Sequence, residues 1–102
     1  MKKLKVNKTN RGFEIAKFKD EYGVDCSLQK SSWMEKDAIW LGVDDLQPKI
    51  LAYKINGGIP NGWVDYKISE DVEFHNRMHL TRDMVAQLLP LLQKFVKTGD
   101  LK

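Results

Sequence analysis

The chain has 102 residues, 42% hydrophobic and 30% charged, with a net charge of +3. That is one domain, 1–102, too apolar for a disordered chain and without the Gly–Pro pattern of a fibrous one. No apolar run approaches the ~18 residues of a membrane span, no charged start leads into an apolar signal stretch, and the single cysteine, Cys26, has no internal partner; the expected setting is a reducing cytoplasm.

The charge is uneven. Residues 1–19 hold seven bases against Glu14, residues 20–74 five lysines against eleven acids, and residues 75–102 five bases against two acids. The basic start (Lys2, Lys3, Lys5, Lys8, Arg11) suits phosphates or an acidic partner, but reads first as a solvated, frayed segment over 1–10. A general nucleic-acid binder would be more basic through its middle.

Turn signals punctuate the chain up to residue 80. Phe13 and Ile15 are followed out of phase by Ala16 and Phe18, which predicts a strand with a bulge near Ile15. Residues 20–23 predict a turn with Gly23 at positive φ. Val24, Cys26 and Leu28 alternate with polar residues, predicting a half-buried strand hairpinned to the first. The apolar run 38–43 predicts a central strand covered on both faces, with Trp40 in the core. Residues 50–55 and 64–68 read as strands around a Gly-rich loop at 56–62. Residues 72–80 alternate again, with Phe74, Met78 and Leu80 opposite His75, Arg77 and His79.

The period then changes. Thr81 is a candidate N-cap, Asp83 lies in the first turn, and Met84, Val85, Leu88, Leu92 and Phe95 form an i, i+3/i+4 stripe ending before Gly99. Pro90 predicts a helix over 82–98 that is kinked near that residue, or two shorter helices. The expected fold is α+β: an antiparallel sheet of about five strands, packed on one face by this helix.

His75 and His79 on a strand stand roughly 13 Å apart, too far to share an ion, so no metal site or cofactor is expected. Ser31 or Ser32 can meet a histidine in space, yet no nucleophile elbow flanks them, and an enzyme is not expected. The polar run Ser27, Gln29, Lys30, Ser31, Ser32 offers donors to an anion, and His75, Arg77 and His79 form a second row. On neighbouring strands the two rows would make one polar face. Trp33 and Trp63, each beside a turn signal, are candidate binding anchors. The candidate binding set is therefore Gln29, Lys30, Ser31, Ser32, Trp33, Trp63, His75, Arg77 and His79.

Three stretches, RGFEIAKFKDEYGVDCSLQKSS at 11–32, AIWLGVDD at 38–45 and RMHLTRDMVAQLLPLLQKFVKTG at 77–99, together resemble a family of small uncharacterised proteins encoded by bacteriophages and prophages. The resemblance implies the cytoplasm of an infected bacterium and stoichiometric binding to a host macromolecule, including inhibition of antiviral defence. The residues alone leave open a second reading, a binder of nucleotides or nucleic-acid phosphates through the polar face. An uncovered edge strand would also let two copies pair.

Overall fold

The computed structural model describes residues 3–52, 54 and 62–102. In chain order the elements are β1 (Val6–Lys8), β2 (Glu14–Lys19), β3 (Asp25–Lys30), β4 (Ala38–Val43), β5 (Lys49–Leu51), β6 (Trp63–Asp65), β7 (Arg77–Thr81) and the helix α1 (Arg82–Thr98). Their contacts fall into two units, residues 1–44 with 77–102, and residues 45–76.

The first unit is an antiparallel sheet in the order β1-β2-β3-β4-β7, continued by α1. The fold class is α+β, with β1 and β7 at the edges. Residues 20–23 form the turn that hairpins β2 to β3. Gly23 has φ +80° and donates its N–H to Asp20 O, while the Asp20 carboxylate accepts from the backbone N–H groups of Tyr22 and Val24. Within the N-terminal stretch, Val6–Lys8 is held as a strand against β2.

The expected bulge near Ile15 is absent. β2 pairs without interruption on both sides, Ile15 with Asn7 and Gln29, Ala16 with Val6 and Leu28. Register then sets the two faces, because directly paired residues point the same way. One row runs Ala16, Leu28, Leu41, Met78 and is apolar. The adjacent row runs Ile15, Gln29, Trp40, His79 and, with Arg77 and Ser27, makes the polar face.

The helix begins where the sequence places it. Thr81 is the N-cap and accepts from the Met84 N–H, and Gly99 ends the helix at φ +82° with its N–H on Phe95 O, 2.7 Å. Pro90 removes one N–H from the ladder but does not divide the element, which is continuous over Arg82–Thr98.

The helix meets the sheet through its first two turns, where Val85 and Leu89 line a groove with Ile39 and Leu80, while most of the predicted stripe stays exposed. Met84, Leu88, Leu92 and Phe95 remain 47, 39, 54 and 56% exposed, and the helix's main contact with the sheet is with β7. β7 ends at Thr81 and α1 starts at Arg82, with no linker between them. The buried apolar side chains of this unit are small, namely Ala16, Cys26 and Ala38. The residues of β4 after Ala38 are correspondingly half-buried rather than covered on both faces.

In the second unit β5 and β6 form a two-stranded ladder, joined by the Lys49–Asp65 ion pair and by the Ala52 N–H on Gly62 O. The strand expected at 50–55 is observed only as Lys49–Leu51, with Tyr53 and Ile55 outside the described residues, as is most of the expected loop at 56–62. The strand expected at 64–68 is Trp63–Asp65. The strand expected at 72–80 contracts to Arg77–Thr81; before it, Val72 closes a turn on Ser69 and Phe74 is 40% exposed.

Candidate binding face of the sheet

The polar face gathers five of the nine expected residues into one contact network. Gln29 and Ser31 come from β3 and its extension, Trp33 from the loop that follows, and Arg77 and His79 from β7. The two polar rows are not neighbours, because β4 lies between them. They meet across it. Arg77 pairs with Gly42, whose missing side chain leaves the lane over β4 open, and its Nη1 donates to Gln29 Oε1 at 3.2 Å. His79 Nε2 lies 2.8 Å from Ser31 Oγ.

Trp40 fills the middle of this network, against its expected place in the core. Its odd position on β4 turns it to the polar side, opposite Gln29 and His79. The indole stacks on the His79 ring, centroids 4.0 Å apart and planes 14° apart, and the Arg77 guanidinium carbon lies 5.4 Å from the Trp40 ring centre. Trp33, 40% exposed, tilts against the same imidazole at 5.3 Å. The signal for Trp40 was present in the sequence as parity with Ala38 and Gly42, but the surrounding apolar run hid it.

Local structure holds Trp33 in reach. The buried Ser31 hydroxyl accepts from the Trp33 backbone N–H at 3.1 Å, an ST-type turn that bends the chain out of β3. Asp37 closes the same loop, pairing with Lys30 at 2.9 Å and with Arg82 at 3.8 Å. The Lys30 ammonium holds the Asp37 carboxyl below its ordinary range, chiefly by that hydrogen bond, with Arg82 adding a smaller pull.

Four expected residues stand apart. Lys30 pairs with Ile39 and so points to the apolar side, where Asp37 engages it. Ser32 is exposed. Trp63, 68% exposed, lies on β6 and His75 lies before β7, both in the second unit. The alternation places Arg77 and His79 on a common face as expected; His75 precedes the strand and does not share its register.

Ser31 and His79 meet the distance required of a nucleophile and its base. The rest of that arrangement is missing: Ser31 is 6% exposed, and among the described residues no carboxylate contacts His79 to orient it. Two indoles and an imidazole give planar surfaces, and the Arg77 guanidinium, which donates to Gln29, brings a planar set of N–H donors to the same face. No group of three His, Cys, Asp or Glu among the described residues is placed to hold a metal ion. No described helix is long and apolar enough to cross a membrane.

Compared with known proteins, the chain matches no family model, no curated protein and no solved structure.

Proposed function

We propose that this protein acts by stoichiometric binding of a host macromolecule in the bacterial cytoplasm, as a phage or prophage accessory factor of the anti-defence kind, and that it is not an enzyme. The observation that carries the reading is the Trp33–His79–Trp40–Arg77 network on an open sheet face. Trp and Arg are the residues that concentrate at the energetic centres of protein interfaces, where rigid rings and a planar guanidinium bury much surface at little conformational cost. A host protein is the leading partner. A second reading, a nucleotide or single-stranded nucleic acid, is favoured by one specific feature: an exposed indole sits beside an imidazole and a guanidinium, the combination that stacks a base and meets its phosphate.

The test is capture from bacterial lysate by the full-length tagged chain, with and without nuclease, beside Trp33→Ala and Arg77→Ala. A nuclease-resistant protein band at comparable stoichiometry, lost in both variants, supports the leading reading. Nucleotide or nucleic acid released on heating, with the same loss, supports the second. Capture that both variants retain places the working surface elsewhere.

A further inference from the structure

The sheet of the first unit has an apolar face and the helix has an apolar stripe, and much of each stays exposed. Leu28 and Leu41 are half-buried and Met78 is 54% exposed on the sheet. On the helix, Leu92, Phe95 and Val96 are 54, 56 and 71% exposed. Stable domains bury such surfaces against a second layer. Thr81 serves at once as the last residue of β7 and the cap of α1, so strand and helix join with no linker between them. From its first two turns Val85 and Leu89 line an open groove of 590 Å³ with Ile39 and Leu80 of the sheet. Beyond Leu89 the apolar residues Leu91, Leu92, Phe95 and Val96 are all exposed.

We infer that a second copy of this chain supplies the missing layer, the helix of each copy lying across the apolar sheet face of the other. The two surfaces match in chemistry and in size. A 17-residue helix is about 25 Å long, and five strands span about 19 Å between edge strands. Reciprocity follows from two-fold symmetry: a stripe on one copy meets a face on its partner, and the same contact repeats. Seven apolar helix side chains from Met84 to Val96 keep 39–71% of their surface exposed. Covering them, the matching sheet strip and the symmetric repeat hides on the order of 1,500 Å², within the range of stable specific interfaces. The polar face stays open in this arrangement, so the inference stands apart from the binding role proposed for it.

Sedimentation equilibrium of the full-length chain, from about 1 to 100 µM, reads the outcome. The expected mass is twice the chain's 11.8 kDa, and Leu92→Asp should weaken association on the order of 100-fold, since it would bury an unpaired carboxylate. A wild-type monomer at 100 µM overturns the proposal. Geometry is read without relying on that variant's folding. In a Cys26→Ala background, a Phe95→Cys chain is mixed with a Met78→Cys chain and oxidised with diamide. A cross-link between the unlike chains supports the exchanged helix. Met78→Cys linking to itself in place of Phe95→Cys indicates pairing of β7 edges and overturns it.

Discussion

The Trp40 and His79 rings lie face to face at 4.0 Å, directly opposite each other across the β4–β7 ladder. Cross-strand aromatic pairs of this kind stabilise a sheet beyond their area, and this one also sets the floor of the polar face. Ser31 fixes the imidazole from one side and Trp33 leans on it from the loop. Each neighbour therefore bears on both stability and binding.

Trp40→Ala should cost about 2–3 kcal/mol of unfolding free energy, below the range for a fully buried aromatic because the indole is half-exposed to one side. Trp40→Phe should recover more than half. Urea denaturation measures both. A loss under ~0.5 kcal/mol would make the stack incidental.

Arg77→Ala removes one hydrogen bond, to Gln29, and should cost the fold only about 0.5–1.5 kcal/mol. The captured partner should bind more weakly by about 1–3 kcal/mol, and Arg77→Lys should not restore it, because an ammonium lacks the planar fork. A variant that unfolds shows Arg77 to be structural. One that binds unchanged removes the face from the contact.

Acid should loosen the 31–37 loop. The Asp37 and Asp25 carboxyls are held below their ordinary range by hydrogen bonds from Lys30 and Lys19. Their contribution is present above the unfolded carboxyl value, near 3.9, and is lost as pH falls through the lower folded value. Asp37→Asn should therefore be less stable than wild type at pH 6 and converge on it as pH falls through the lowered folded value. Both pairs are exposed, so 1 M salt should narrow the gap at pH 6. An offset that persists unchanged to pH 2 would mean that Asp37 acts through packing instead.

Cys26 should react slowly with a thiol reagent in the native protein. It is 6% exposed, burial pushes its thiol up, and the nearby carboxylates of Asp20, Asp44 and Asp25 push the same way. Rates should rise by orders of magnitude in denaturant, as the thiolate becomes accessible. Native labelling at the speed of a free cysteine would place Cys26 on an open surface.

What the sequence by itself determined was local. Thr81 and Gly99 marked the helix ends because capping needs a side-chain oxygen at one end and a positive φ at the other, both readable from residue type. The same holds for the Asp20–Gly23 turn and for the alternation that puts Arg77 and His79 on one side and Met78 and Leu80 on the other. Tertiary structure decided what depends on neighbours. Strand order put β4 between the polar rows, and so put Trp40, which its apolar surroundings suggested was core, at the centre of the candidate site. Pairing on both sides of β2 fixed a regular register where Ile15 and Ala16 suggested a bulge. Most of the helix stripe stays exposed in the folded chain, although periodicity alone made it a core-facing surface. Periodicity reports which side chains avoid water; which surface receives them depends on chain connectivity and on what packs alongside.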